Sequence, residues 1–282
     1  MRAMSIKANR LFQTWALHGP SGAGKTTLAA TAPKPVVLDS NQGLLSIADI
    51  PQLSHVKYVD VRSMENLEEA YDQCSGTAAS KRDDWSKQFS TIVFDHFDDI
   101  QGIVLDELIE KAMEKDDRRD DTVEQREYGI MGNKLRRYLR KFKRVPMHKI
   151  LILGSKTDFD SGQERPSLVG AMQYQLPYLV DHTLYLQVKE NGRRVLHLNE
   201  TEHWYAKTRA RWLTPEQRKV VFKPDDFTCL TRLFDLVAAG PKKPTAAVSS
   251  TTTDGASATT VPTESAPKAR SKQSTKSNAS TK

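Results

Sequence analysis

Hydrophobic positions along the chain form short continuous runs that alternate with amphipathic segments. Short apolar runs predict buried strands. The predicted strands cover 13–18, 36–39, 55–61, 91–95 and 149–154. Apolar spacings of three and four residues predict helices. The predicted helices cover 63–74, with Ser63 as the cap, 100–115 and 122–143. Such alternation is typical of a parallel sheet with helices on both faces.

The second half of the chain predicts a different arrangement. Residues 156–173 contain Gly, Pro, Asp and Ser with little periodicity, so we expect a long loop, and long loops in compact domains tend to be functional. Residues 183–188 and 194–198 predict a β-hairpin, because Asn191-Gly192 between them is a strong turn signal. A last helix is expected at 226–238, and the charged segment 116–121 is expected to be an exposed loop.

One polar segment follows the first predicted strand and carries a recognisable motif. Gly19-Pro20-Ser21-Gly22-Ala23-Gly24-Lys25-Thr26 fits G-x-x-x-x-G-K-[ST], the phosphate-binding P-loop, between a strand and a helix. Glycines let successive N–H groups converge on phosphate oxygens, and the helix N-terminus adds positive charge. Lys25 can reach the β- and γ-phosphates. The expected nucleotide-binding residues are Gly19, Pro20, Ser21, Gly22, Ala23, Gly24, Lys25, Thr26 and Thr27.

A P-loop site needs an acid at the tip of a neighbouring strand to help hold Mg²⁺. Asp95 ends the strand predicted at 91–95 and is the best candidate. The Thr26 hydroxyl is the expected second protein group on the metal. Asp98 and Asp99 lie beyond the strand, and we expect them to begin the next helix.

Charge is distributed unevenly along the 282 residues. The formal net charge is +7, but the segment from Pro241 holds seven of the 42 basic residues and two of the 35 acidic ones. The body is therefore nearly neutral. The tail is rich in Ser, Thr, Ala, Pro and Lys and has no aromatic residues, a composition that favours disorder. We expect a folded domain at 1–240 and a disordered basic tail at 241–282.

Two further features bear on the compartment. The chain has no apolar run long enough to cross a bilayer, and its first residues do not form a signal peptide. Cys74 and Cys229 lack the spacing of a metal site, so we interpret them as reduced structural thiols. These features predict a cytoplasmic protein that is not associated with a membrane.

The order of the motifs resembles a known family. The P-loop, the Asp95 strand, the strand ending at Ser155, Asp181 before the hairpin and Ala206-Lys207-Thr208-Arg209 are similar to the short RecA-like ATPases encoded by bacteriophages, including single-strand-annealing recombination proteins. The resemblance covers roughly 8–215. It implies an α/β fold, a RecA-like P-loop NTPase core with a mostly parallel sheet flanked by helices and a C-terminal antiparallel hairpin. It also implies ATP and Mg²⁺ as cofactors.

The resemblance also implies an oligomer with the nucleotide at the subunit interface. In such ATPases a Lys and an Arg at the matching place reach the neighbour's γ-phosphate, which gives Lys207 and Arg209 the role of fingers. Alternate residues of an extended segment point the same way, so K-x-R can present both cations to one phosphate. The expected catalytic residues are Lys25, Asp95, Ser155, Lys207 and Arg209.

Single-stranded DNA is the partner that the resemblance implies. Ser155 or Lys156 would sense the γ-phosphate and couple it to the loop 156–173, which matches a DNA-contacting loop. Arg165 would supply charge there, and Phe159 and Tyr174 could stack on bases or simply pack within the protein. The basic tail is a second expected contact, and a host cytoplasm and a single-strand-binding protein complete the expected setting.

One departure from the family pattern concerns hydrolysis. RecA-type enzymes usually carry a Glu after the second core strand, where Asn41 stands in this chain. An amide can hold a water molecule but cannot take its proton. Hydrolysis is therefore expected to be slow, unless Asp39 replaces the missing acid.

Three alternatives stay open. Ser155-Lys156-Thr157-Asp158 imitates the guanine-recognition motif N-K-x-D, which would suit a GTPase, but Asp95-His96-Phe97-Asp98 lacks the glycine of D-x-x-G. A small-molecule or nucleotide kinase would need an arginine-rich lid. A nucleotide-gated scaffold with little hydrolysis would explain Asn41. The leading hypothesis is an ATPase that acts on single-stranded DNA in phage recombination, repair or replication.

Overall fold

The computed structural model describes residues 12–75, 85–116, 122–223 and 225–241. All of these lie within one compact unit, Met1–Lys242. Two predictions, the charged loop at 116–121 beyond Asp116 and the tail beyond Pro241, lie outside the described residues. None of the described helices is long and apolar enough to cross a bilayer.

Strands and helices alternate through the first two thirds of the chain. The strands are β1 Thr14–His18, β2 Pro35–Asp39, β3 Lys57–Asp60, β4 Thr91–Asp95, β5 His148–Leu153, β6 Ser155–Thr157, β7 Glu164–Pro166, β8 His182–Val188, β9 Arg194–His197, β10 Lys207–Thr208 and β11 Lys219–Phe222. The helices are α1 Lys25–Ala30, α2 Leu45–Ala48, α3 Met64–Ser75, α4 Trp85–Gln88, α5 Phe97–Asp116, α6 Gln125–Phe142, α7 Met172–Leu179 and α8 Cys229–Ala239.

Within the described residues one nine-stranded sheet forms the centre of the molecule. Its order is β11-β9-β8-β1-β5-β4-β2-β3, with β10 pairing beside β8. The six strands from β8 to β3 in that order pair in parallel. Strands β9 and β10 pair antiparallel with β8, and β11 pairs antiparallel with β9. The predicted α/β fold with a mostly parallel sheet and a C-terminal hairpin is therefore confirmed.

Successive side chains of each central strand point to opposite faces of the sheet, and each face is covered by a layer of helices. Ala16 of β1 faces the cluster that includes α3, α5, α6 and α7, whereas Trp15 and Leu17 face the cluster that includes α1 and α8. Both faces of the central strands are buried, which is why they are continuously apolar in sequence. The carboxyl ends of the parallel strands share one edge, and this edge carries the candidate site.

Local hydrogen bonds set the helix limits more sharply than hydrophobic periodicity. The Ser63 hydroxyl accepts the Asn66 N–H at 3.2 Å, so the predicted cap is confirmed. The helix predicted from 122 begins at Gln125, because Glu124 and Glu127 form a capping box. The helix predicted from 226 begins at Cys229, because the Asp226 carboxylate accepts the Thr228 N–H at 3.1 Å in a turn before it.

The prediction of an unstructured loop over 156–173 is wrong. Residues 155–157 and 164–166 form an antiparallel hairpin, β6–β7, and α7 begins at Met172. The pairing places Thr157 opposite Glu164, whose carboxylate accepts the Thr157 hydroxyl at 2.7 Å. These strands are short and polar on both faces, so they lack the apolar alternation that predicts strands.

Candidate functional site

The P-loop connects the buried strand β1 to α1 through a backbone that requires glycine. Gly22 and Gly24 have φ values of 70° and 88°, in the left-handed region. A Cβ on Gly19 would lie 2.6 Å from the Leu186 carbonyl oxygen of β8. The loop is therefore held against the hairpin β8–β9 in a conformation that side chains would disturb.

Lys25 is buried at the first position of α1. Its Nζ donates to the carbonyl oxygens of Gly19 at 3.0 Å and Pro20 at 2.9 Å. Burial lowers the pKa of this ammonium, although the Asp98 and Asp95 carboxylates oppose the shift. An ammonium has three donors, so Lys25 closes the P-loop on itself and can exchange these carbonyls for phosphate oxygens.

Asp95 ends β4 at the same edge of the sheet and is fully buried. Neither carboxylate oxygen has a hydrogen bond of good geometry within the described residues. Burial raises the pKa of Asp95, against the opposing effects of His96, the Thr26 hydroxyl and Lys25. A buried carboxylate without hydrogen bonds of good geometry is costly, and a divalent cation would satisfy it. Thr26 and Asp95 thus fit the oxygen ligands that Mg²⁺ prefers.

His96 and Asp98 form a cluster of charged side chains next to Asp95 that the sequence did not predict. His96 Nε2 lies 3.2 Å from Asp95 Oδ1, and its Nδ1 lies 3.6 Å from Asp98 Oδ1. Asp98 Oδ2 accepts the Gly154 N–H at 3.1 Å. The nearby Asp98 carboxylate is the largest cause of a raised pKa at His96. His96 therefore bridges two carboxylates, while Asp98 and Asp99 lie in the first turn of α5, as predicted.

The end of β2 lies beside the end of β4, with Asp39 in register with Asp95. Asp39 is buried, and its Oδ1 accepts the N–H groups of Asn41 and Gly43, both at 3.3 Å. Asn41 is exposed at this edge. Asp39 thus supports the turn that carries Asn41, and one of its oxygens is already engaged.

Ser155 follows β5 directly beside the P-loop and contacts a buried histidine. His18, the last residue of β1, has its Nδ1 2.8 Å from the Ser155 hydroxyl and its Nε2 2.7 Å from the Tyr205 carbonyl oxygen. Burial lowers the pKa of His18 to about 4. A neutral ring must carry its proton on Nε2, since a carbonyl only accepts. The Ser155 hydroxyl therefore donates to His18 and reaches a phosphate only by releasing it.

The K-x-R segment lies far from the P-loop of its own chain. Lys207 pairs with Thr183, which lies beside Ala16 of β1, and the segment then runs towards the amino end of the sheet. Arg209 pairs there with Asp181 at 3.0 Å, and Asp181 accepts the Thr14 N–H at 2.9 Å. The length of β1 separates this edge from the P-loop by roughly 15 Å.

Lys207 and Arg209 are also held by their own chain. Lys207 Nζ donates to the Pro177 carbonyl at 3.1 Å and lies 5.3 Å from the centre of the Tyr178 ring. Arg209 is about half exposed, with 51% of its side chain accessible. Arg209 is therefore exposed at the edge opposite the nucleotide site, whereas Lys207 is half-buried beside the middle of β1. Among the described residues neither contacts Lys25 or Asp95.

Arg194 of β9 contacts the P-loop, which the sequence also did not predict. Its Nε donates to the Ala23 carbonyl at 2.8 Å and lies 3.1 Å from the place of a Cβ on Gly24. Only the fold brings it there, because 171 residues separate it from Ala23.

The hairpin β6–β7 directs its cations inward and its turn outward. Lys156 Nζ donates to the Leu168 carbonyl at 2.6 Å, and the Arg165 guanidinium lies 4.8 Å from the Tyr205 ring centre. The Tyr174 hydroxyl donates to Asp158 at 3.0 Å, but the ring remains about half exposed. Phe159 in the turn is fully exposed.

Comparison with protein families agrees with this geometry. A family model described as an AAA domain matches residues 12–210, from the start of β1 through the K-x-R segment. No curated protein matches the chain. AAA domains are generally nucleotide-binding ATPases and typically use ATP with Mg²⁺. The match covers well over half of the chain, which therefore belongs to the AAA domain family of P-loop ATPases.

Proposed function

We propose that this AAA-family protein binds and hydrolyses Mg·ATP between subunits of a homo-oligomer and acts on single-stranded DNA in recombination, repair or replication. The observation that carries the nucleotide part is the buried Asp95 carboxylate. It lies beside the P-loop, and among the described residues only His96 forms an ion pair with it, without a hydrogen bond of good geometry. Mg²⁺ would neutralise charge on the triphosphate. Lys25 and the loop amides would hold the phosphates, and Thr26 and Asp95 would hold the metal.

The position of the K-x-R segment supports an interfacial site. Lys207 and Arg209 both contact groups away from their own P-loop, and Arg209 is exposed enough to reach a neighbouring subunit. A cation supplied by a neighbour stabilises charge that develops in the transition state. A homo-oligomer in which the K-x-R edge of one subunit meets the P-loop edge of the next would complete every site.

The proposed action on DNA is supported by the hairpin β6–β7. The exposed Phe159 at the tip of β6–β7 suits stacking on an unpaired base. The same hairpin begins at Ser155, whose hydroxyl donates either to His18 or to a phosphate. His18 Nε2 also donates to the carbonyl oxygen of Tyr205, just before the K-x-R segment. A change at the γ-phosphate could thus reach the hairpin and the subunit contact through one buried histidine.

A nucleotide-gated scaffold with little hydrolysis is the second candidate. Asn41 supports it, because an amide stands where related enzymes carry an acid, and Asp39 is partly engaged by backbone N–H groups. A GTPase has less support. Lys156 donates to Leu168, and Asp158 accepts from Ser161 and Tyr174, so neither is directed at a guanine base.

The test is ATP turnover titrated with single-stranded DNA, with particle mass followed by light scattering. We expect turnover that DNA stimulates and a mass above that of one chain. Lys25→Ala should lower nucleotide affinity or turnover by about 100-fold or more, because a phosphate-binding cation is lost. The exposed Lys57→Ala is the matched control and should behave like the wild type. A wild-type protein that binds ATP but turns over slowly in all conditions would favour the scaffold.

A further inference from the structure

Helix α6 carries a strongly basic groove on its exposed face. The groove has a volume of about 480 Å³. It is lined by Asn133, Arg136, Arg137, Arg140, Lys141 and Arg144. Positions 133, 137 and 140 follow the helical repeat and form one stripe along α6, and Arg144 lies in the turn that follows the helix. Five of the six lining side chains are cationic, on a body that is nearly neutral as a whole.

The outermost cations of this groove have no acidic partners. Arg137, Arg140 and Arg144 are exposed, and none forms an ion pair with a carboxylate in the part of the chain that the structure describes. Neighbouring cations on a helix repel each other. The α6 groove therefore concentrates positive charge that no carboxylate of the described residues neutralises through an ion pair with these three arginines.

Other contacts hold the two sides of the groove in place. Arg136 donates to Asn133 Oδ1 at 2.5 Å and to the Gly132 carbonyl at 3.4 Å. Lys141 Nζ lies 5.4 Å from the ring centres of both Tyr71 and Tyr138. The packed side of α6 buries Met131, Leu135, Tyr138, Leu139 and Phe142. The cationic face is thus supported by a well-anchored helix.

The hairpin β6–β7 is a poorer surface for a phosphate backbone. Its cations Lys156 and Arg165 are half-buried and directed at carbonyl, carboxamide and aromatic groups of the same chain. An exposed Phe159 can stack on a base but cannot neutralise phosphates. The charge needed for backbone binding must come from another surface.

We propose that the α6 groove binds the phosphate backbone of single-stranded DNA, an inference that rests on the proposed action on DNA. Arginine suits this role because its planar guanidinium pairs with two phosphate oxygens at once. Arg137 and Arg140 lie about one helical turn apart, roughly 5 Å along the axis. Arg144 follows in the turn after α6, so the groove offers three outer guanidinium groups for backbone phosphates. Lys143, next to Arg144 in the chain, lies 3.7 Å from Asp181, the partner of Arg209. Bound DNA would therefore lie next to the edge that carries the K-x-R segment.

The test compares the affinity of the full chain for a labelled oligothymidylate across a series of salt concentrations. Arg140→Gln with Arg144→Gln removes two phosphate contacts and should reduce the slope of log affinity against log salt by about 1.4. At 0.1 M salt the same loss corresponds to about 25-fold weaker binding. Lys57→Gln with Lys219→Gln removes the same charge from two exposed edge strands and should leave both quantities unchanged. ATP affinity and the melting temperature should stay at wild-type values in both double variants.

Three results would overturn the proposal in different ways. A wild-type chain that does not bind the oligonucleotide with or without ATP would remove the action on DNA, and the inference with it. Wild-type binding that Arg140→Gln with Arg144→Gln leaves intact, with an unchanged salt slope, would reject the α6 groove alone. Unchanged DNA binding accompanied by loss of self-association would assign the groove to a contact with a second copy of the chain.

Discussion

Asp95 is the residue at which stability and chemistry conflict most directly. Its carboxylate is fully buried, and its pKa is raised by burial, so the fold carries a charge that it does not satisfy by itself. Sites that hold such groups for function are commonly less stable than they could be. The conflict can be measured with a nearly isosteric substitution.

We expect Asp95→Asn to raise the melting temperature of the nucleotide-free protein by about 2–4 °C, equivalent to about 1 kcal/mol, because a buried charge is removed. The same variant should lose about 100-fold in turnover, since the metal loses a charged ligand. Thermal melting and a turnover assay at saturating Mg²⁺ check the two effects. Asp60→Asn, at the exposed end of the edge strand β3, is the control. A fall in melting temperature would mean that His96 already compensates the charge.

The buried histidines lead to a second prediction, which concerns the pH dependence of stability. Burial lowers the pKa of both His18 and His182 to about 4. The unfolded chain takes up these protons below about pH 6.5, but the folded chain does not until about pH 4, so stability is lost as the pH falls through that window. At pH 5 the loss is about 2 kcal/mol for each histidine. The raised pKa of His96 acts in the opposite direction.

Denaturant unfolding between pH 7.5 and 5 measures this loss. The variant His182→Gln should show a flatter pH dependence even if its stability at pH 7.5 is lower, because one of the protons is no longer taken up. The pKa of Asp226 is lowered by its hydrogen bond with Arg232, so the stability that this carboxylate contributes is lost only below the measured range of pH 7.5 to 5. An identical pH slope in the variant and the wild type would contradict the assignment to His182.

At the scale of elements, sequence patterns succeed where burial is continuous. Strands β1, β4 and β5 are buried along almost their whole length, so their apolar runs predicted them closely. The hairpin β8–β9 was predicted from its turn, in which Gly192 has a φ of 73°. The hairpin β6–β7 was missed because its stability comes from polar pairs such as Thr157 with Glu164 rather than from an apolar face.

Some parts of the candidate site could be predicted from the sequence, and others depend on the fold. The P-loop is contiguous in sequence, so its residues could be predicted together. The contacts of His18 with Ser155 and Tyr205 span 137 and 187 residues, and they follow from strand order rather than from any local pattern. Arg194 reaches Ala23 for the same reason. His96 could have been found, because it directly follows the strand-terminal acid.

At the scale of the whole molecule, the sheet separates two halves of the proposed active site. The P-loop and Asp95 lie at the carboxyl edge of the parallel strands, and Lys207 and Arg209 lie towards the amino edge. One chain cannot bring these edges together, but a repeating contact between copies can. A heterologous contact of this kind generates a ring or a filament. The proposal therefore predicts that two differently inactive chains can restore each other.

We expect Lys25→Ala and Arg209→Ala to be inactive alone and partly active when mixed. Arg209→Ala keeps its P-loop and should bind ATP nearly as the wild type does, while Lys25→Ala keeps its finger. Random mixing at equal amounts pairs an intact P-loop with an intact finger at roughly a quarter of the interfaces, so turnover should recover to about that fraction. The control replaces Arg209→Ala with the double variant Lys25→Ala and Arg209→Ala, which should restore nothing. No recovery in mixtures that still form mixed oligomers would mean that the two residues act in the same chain. Full turnover of Arg209→Ala by itself would mean that Arg209 has no catalytic part.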